Sequence, residues 1–236
     1  MKKNNSKRIK QLHKEHKYNK QYTLLEAISI IKKTSTAKFD ESFDVSLHLG
    51  IDPKKSDQNV RGSITLPHGL GRKISVAVFT GDILQIEEAK NAEADAIGLE
   101  DLANKIKKEK KIFDVIIATP ESMKIVSTLG SFLGPRGIMP NPKLGTVTKN
   151  IYKAVKNAKC GLIQYKNDKN GILNCSIGKS KFSIKQIQEN LYALIDSVRK
   201  NKPSKSKGIF LKKIIFSSTM GISIILDQDS LNSVKK

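Results

Sequence analysis

Apolar residues recur along this chain in two different rhythms. Leu24, Ala27, Ile28 and Ile31 are spaced by threes and fours, as one face of a helix requires. Thr23-Leu24-Leu25-Glu26 in front of them reads as a capping box, so a helix is predicted over 23–34. Val45, Leu47, Leu49 and Ile51 instead alternate with Asp44, Ser46 and His48, the period of a strand with one wet face. Asp52-Pro53 ends that strand, the polar run to Asn59 is a loop, and a second strand is expected over 60–66.

After Pro67-His68-Gly69-Leu70-Gly71, which has the composition of a linker, the pattern changes. A mostly apolar strand is predicted over 73–79, helices over 82–94 and 100–110, and over 113–118 a strand apolar enough to be buried on both faces. Thr119 is placed to cap a following helix with Pro120 at its first position. Residues 133–147 form a long Gly- and Pro-rich loop, 149–158 a helix, and Cys160-Gly161 marks the way out. Strands alternating with helices argue for a small parallel unit of βαβ type.

The alternating style then returns. Strands at 162–166 and 172–177 are predicted to form a hairpin through Asn167-Asp168-Lys169-Asn170-Gly171, whose Asn-Gly pair favours a tight turn. Ser183-Ile184-Lys185-Gln186 is a second capping box, ahead of a stripe of Ile184, Ile187, Leu191, Leu194, Ile195 and Val198. Strands at 209–216 and 222–226 close the chain as a hairpin around 217–221. The fold class expected is mixed α/β and α+β in two domains. An α+β sandwich is split between both chain ends (21–67 and 161–236), a βαβ domain is inserted at 68–160, and residues 1–20 precede them as a basic arm. Two tandem domains would produce the same local patterns.

Charge points to a partner. Lys and Arg number 43 against 22 Asp and Glu, a formal +21, and such self-repulsion suits a polyanion-binding protein. The positive charge is localised. Residues 82–121 hold ten acids and six bases, whereas Arg199, Lys200, Lys202, Lys205, Lys207, Lys212 and Lys213 have no acid among them. The first twenty residues carry eight bases and only Glu15. A general lysine bias of the proteome would not spare one stretch, so the pattern is the footprint of phosphate binding.

Other classes find little support. No apolar run is long enough to span a membrane, and the first twenty residues lack the apolar core of a secretory signal. Cys160 and Cys175 form no CxxC and predict no disulfide. Gly178-Lys179-Ser180 resembles the end of a phosphate-binding loop, but Leu173 stands where the first glycine is required. No dinucleotide fingerprint follows a strand, so a nucleotide-using enzyme is the weaker rival. His13 and His16 sit among lysines, which oppose a metal, and the sequence offers no Ser–His–Asp or Cys–His constellation without guessing contacts. The expectation is no catalytic residue, no metal and no cofactor. Two segments suit RNA instead. Phe39, beside Lys38 between the first helix and first strand, is either core or a nucleotide-stacking ring. Ser217-Ser218-Thr219-Met220-Gly221 supplies small hydroxyl donors that let a sugar-phosphate chain approach and can pair with a 2′-OH.

Long motifs then carry a resemblance. Gly50-Ile51-Asp52-Pro53, Ser56-Asp57-Gln58-Asn59-Val60-Arg61-Gly62 and Leu66-Pro67-His68-Gly69-Leu70-Gly71 are similar to the bacterial ribosomal protein L-one family. So are Leu133-Gly134-Pro135-Arg136-Gly137-Ile138-Met139-Pro140-Asn141-Pro142-Lys143 and Ser218-Thr219-Met220-Gly221. The resemblance runs from about Tyr22 to about Leu226. It implies a two-domain constituent of the large ribosomal subunit, with the inserted domain Rossmann-like and free of nucleotide, monomeric when free and cytoplasmic. A bacterial-type organelle is the alternative location. It further implies binding to 23S rRNA at the mobile lateral stalk, contact with deacylated tRNA leaving the exit site, and repression of its own mRNA through a leader of similar structure. By motif match the rRNA contacts fall on Lys38, Phe39, Ser42, Lys166, Asp168, Lys169, Ser217, Ser218, Thr219, Met220 and Gly221, with Lys179 and Lys181 beside them. The alternative is a non-ribosomal RNA-binding module or RNA chaperone.

Overall fold

The computed structural model describes residue 12 and residues 20–109 and 113–227. The rest of the basic arm through residue 19, with His13 and His16, and position 110 at the end of a predicted helix lie outside the described residues. The chain is a mixed α/β protein whose contacts divide it into two compact units. One holds the residues up to Gly71 and those from Tyr165 onward; the other is Arg72–Gln164.

The first unit is built on a five-stranded sheet. β1 (Gln21–Tyr22), β2 (Ser42–Leu49), β8 (Ile172–Lys179), β9 (Leu211–Ser218) and β10 (Ser223–Leu226) lie in the order β1-β10-β9-β2-β8. All neighbours are antiparallel except β1 and β10. Strict alternation drives the core: Phe43, Val45, Leu47 and Leu49 of β2 are buried, as are Ile214 and Phe216 of β9. Phe43 meets Phe216 edge to face, ring centres 5.6 Å apart. Helix α1 (Leu24–Thr34) and a 17-residue helix, Ile184–Lys200, pack on this sheet and on each other. Both predicted capping boxes are formed, by Thr23 with Glu26 and by Ser183 with Gln186.

The second unit contains a parallel three-stranded sheet in the order β5-β4-β6, with β4 (Val76–Phe79), β5 (Ala96–Gly98) and β6 (Val115–Ala118). β4 and β6 are buried at every position, as their apolar runs anticipated. Helices α2 (Ile83–Asn91), α3 (Glu100–Glu109) and α6 (Ile151–Lys159) are joined by two short ones, α4 (Met123–Ser127) and α5 (Gly130–Leu133). α2 stops short of the predicted 82–94 because Glu93 turns to φ 60°, a left-handed residue of the kind that ends helices.

Three expectations need correction. The strands at 162–166 and 172–177 do not form a continuous hairpin. β7 (Leu162–Lys166) pairs with β3 (Arg61–Thr65), β8 pairs with β2, and only an isolated Asn167–Leu173 bridge joins them. The cause is Asn167, which donates its backbone N–H to Val60 O (3.1 Å) and accepts the Val60 N–H on its side chain (2.8 Å). Second, Thr119 does not open a helix directly. Residues 120–122 are a turn, because the Ser122 hydroxyl donates to Phe79 O (2.7 Å) and ties that turn to the end of β4; α4 starts at Met123. Third, Ser217 and Ser218 belong to β9, so the final turn carries fewer hydroxyls than expected, while Ile209 stands outside the strand and is 74% exposed. The short strands β1 and β5 and helix α5 went unpredicted, being two to four residues long.

Candidate nucleic-acid interface

At the Ser42 end of β2 the chain meets two other segments. Ser42 donates its backbone N–H to Thr219 Oγ1 (3.0 Å), and Thr219 donates its own N–H to Ser42 O (3.1 Å). The preceding residue, Glu41, is almost fully buried. Its Oε1 accepts the Ala37 N–H and its Oε2 the Met220 N–H, both at 3.1 Å. One carboxylate therefore fastens the loop carrying Lys38 and Phe39 to the turn 219–221. Glu41 shares the parity of Phe43, Val45 and Leu47, so an acid on the inward face of the first strand was the sequence signal that could have found it.

The third segment is the end of β8. The Ser180 hydroxyl donates to Asp40 Oδ1 (2.6 Å), Lys179 Nζ donates to Asp40 O (3.2 Å), and Lys181 Nζ stands 3.5 Å from Asp40 Oδ2. The Ser180 hydrogen bond, then the Lys181 charge, hold the Asp40 carboxyl below the usual carboxylate range. A bulge between Phe43 and Asp44 shifts the β2–β8 register here and sets Lys179 opposite Ser42. Gly221 admits no side chain, since a Cβ would come within 2.3 Å of Ser218 Oγ, a buried oxygen with no hydrogen-bond partner among the described residues.

On this hydrogen-bonded base, Phe39 and Met220 are 55% and 52% exposed, flanked by exposed Lys38, Thr219 and Lys181. Phe39 is thus a surface ring and not core. Ser42, Ser217, Lys179 and Gly221 are partly covered, and Ser218 is buried. Lys166, Asp168 and Lys169 are not part of this cluster. Their turn sits by Leu49, whose N–H donates to Gly171 O (2.9 Å), at the other end of β2, roughly 23 Å away at strand rise. Asp168 there shapes the turn, its Oδ1 accepting the N–H groups of Asn170 and Ile172 at 2.8 Å. The basic 199–213 segment reaches the same end, where Ser206 donates to Gly50 O (3.0 Å) and Lys205 pairs with Asp57 at 2.6 Å.

Between the two ends runs the polar face of the sheet, with Asp44, Ser46 and His48 of β2 beside Asn174 and Ser176 of β8 and Ser217 of β9. Ser46 donates to Asn174 Oδ1 at 2.6 Å. Burial raises the Asp44 carboxyl above the ordinary range, partly offset by Ser176 and Lys179. The Cys175 thiol is pushed up to about 12, first by burial and then by Asp44, so it is inert near neutrality. Among the described residues no group of three or more His, Cys, Asp or Glu could hold a metal ion, and no helix is long and apolar enough to cross a membrane.

The profile of the Ribosomal protein L1p/L10e family matches residues 31–222. The chain belongs to that family. It is 53% identical over 228 residues to the large ribosomal subunit protein uL1 of Vibrio campbellii, covering 97% of each chain. It is 54% identical over 226 residues to uL1 of Laribacter hongkongensis, covering 96% of this chain and 97% of the other. The figure for Haemophilus influenzae uL1 is 56% over 212 residues, 90% and 92%. The family is one of ribosomal proteins and not of enzymes, and the match takes in both Glu41 and Met220.

Proposed function

We propose that this chain is a cytoplasmic constituent of the large ribosomal subunit that recognises a folded segment of 23S rRNA at the lateral stalk by its shape. The observation that carries this reading is the clamp of Glu41, Ser42 and Thr219, which presents Phe39 and Met220 on a fixed backbone among lysines. Lys38, Lys179 and Lys181 supply phosphate affinity, while the close-approach turn at 218–221 and the flanking hydroxyls supply selectivity for RNA. Lys166, Asp168 and Lys169 form a second contact at the far end of the sheet. In this reading the split domain of 21–67 and 161–236 holds the RNA, the Rossmann-like domain of 68–160 is inserted in it, and the basic arm of 1–20 adds charge. Contact with exit-site tRNA and repression of the chain's own mRNA follow from the same surface if a similar RNA shape occurs in each.

Crosslinking in growing cells, followed by sequencing of the attached RNA, tests the reading. The expected result is a dominant peak in one stalk element of 23S rRNA, with a minor one in the chain's own message. Crosslinks spread evenly over unrelated transcripts would reject it.

A further inference from the structure

The parallel sheet of the second unit takes no part in the RNA contacts proposed above. Its strand order, β5-β4-β6, places the first strand in the middle, so the chain leaves β4 in one direction and crosses back for β6. The carboxyl ends of β4 and β6 are therefore a switch point, where open parallel sheets form a ligand crevice. A crevice of about 400 Å3 is present there, lined by Thr80, Asp82, Gln85, Leu99, Glu121 and Ile125 among others.

Its chemistry is unlike that of a nucleotide site. The hydroxyls are already engaged: Thr80 donates to Gln85 Oε1 (2.6 Å) and Ser122 to Phe79 O (2.7 Å). The crevice is lined by two carboxylates, Asp82 and Glu121, and by no Lys or Arg, in a chain whose formal charge is +21. Lys124, on the following helix, is the nearest base in sequence. Asp82 caps α2 by accepting the Leu84 N–H (3.3 Å), and acids in the first turn of α3 suit the helix dipole. Capping does not account for the next two residues. Ile83 and Leu84 are 74% and 70% exposed, and α2 buries only Ala89 fully. An apolar pair beside an acidic crevice repels phosphate and attracts the opposite chemistry.

We infer that this carboxyl edge is a docking surface for a Lys- and Arg-rich segment of another protein that also carries aliphatic side chains. A basic head sits between Asp82 and Glu121, its methylene stem lies over Leu99 and Ile125, and an aliphatic neighbour covers Ile83 and Leu84. Charge complementarity decides the class of partner, since the whole chain otherwise repels basic peptides.

The test is an amide chemical-shift titration of the full-length protein with a capped peptide of alternating Leu and Arg, against controls of alternating Leu and Glu and alternating Ser and Arg, and ATP. Shifts confined to 80–85, 99–101 and 119–125 with the Leu-Arg peptide alone are expected. The double change Asp82→Asn with Glu121→Gln retains the helix cap, because Asn caps as well as Asp. It should weaken binding at least about tenfold, as should Ile83→Ser with Leu84→Ser. Undiminished binding by either variant, shifts spread over the protein, or an equal response to ATP or to the Leu-Glu peptide would overturn the inference. Stalk-RNA affinity measured on the same variants should stay at the starting value. That separates this surface from the ribosomal reading, and unchanged amide shifts of the β4 and β6 residues in the free variants show that the second unit is folded.

Discussion

Glu41 holds two backbone N–H groups from segments 183 positions apart in sequence, Ala37 and Met220. Losing a buried acceptor strands its donors at about 1–3 kcal/mol each, so Glu41→Ala should cost roughly 3 kcal/mol of stability and loosen the RNA-facing turn together. Met220→Asp is the complementary change: the side chain is half exposed and its backbone donor is untouched. Its thermal midpoint should therefore stay near the starting value while filter binding to stalk RNA weakens about tenfold or more. Thr219→Val removes the acceptor of the Ser42 N–H and should fall between the two. Equal RNA affinity across all three would move the interface elsewhere. On the polar face nearby, Asp44 holds its proton more tightly than an unfolded carboxyl does, for reasons of burial first. The folded chain then binds more protons than the unfolded one in that window, and stability falls as pH rises through it. Asp44→Asn should raise the unfolding free energy at pH 7, read by chemical denaturation, by less than about 1 kcal/mol, given the screening of a half-exposed group, and the gain should vanish towards pH 3.

The elements that were legible in sequence are those with a long, one-sided pattern. The Ile184–Lys200 helix and both capping boxes stand where the pattern put them, and the strands lie within it, although β2 stops at Leu49 short of Ile51 and β4 and β6 open at Val76 and Val115 where 73 and 113 were expected. What escaped was set by partners distant in sequence. Asn167 diverts β7 to β3 through Val60, and Ser122 pins a turn through Phe79, neither of which a local rhythm reports. The candidate site divides in the same way. Phe39, Thr219 and Met220 were visible as residue types, whereas their separation from Lys166 and Lys169 required the sheet register. Asn190 is the strongest case. It is fully buried on the long helix, donates to Ile177 O (2.8 Å) and Gly69 O (3.1 Å), and accepts the His68 N–H (3.1 Å). One amide thus joins helix, sheet and the 66–71 segment. Asn190→Leu strands three polar groups in the interior and should lower stability by about 3 kcal/mol or more in chemical denaturation. Asn190→Asp should be nearly as costly, since a carboxylate cannot donate to two carbonyls.

Across the whole chain, positive charge gathers at both ends of the β2 sheet, with Lys38, Lys179 and Lys181 at one and Lys166, Lys169 and Lys205 at the other. If phosphate neutralisation drives affinity, log affinity falls linearly with log salt, by roughly 0.7–0.9 per phosphate contacted. About five contacts would then lose roughly two orders of magnitude between 50 and 200 mM salt. The slope also reads the reach of the RNA. A strand of eight residues separates the two ends by roughly 23 Å, a distance one folded stalk element can bridge. Removing Lys38 and Lys181 together should reduce the slope by about 1.5 if each touches a phosphate, and removing Lys166 and Lys169 should do the same if one RNA lies across both ends. Lys105, exposed in the second unit, serves as the control and should leave it unchanged. A slope altered by the first pair and not by the second would confine recognition to the Glu41–Met220 clamp, and the polar sheet face would then be a solvated surface and not a track for the backbone.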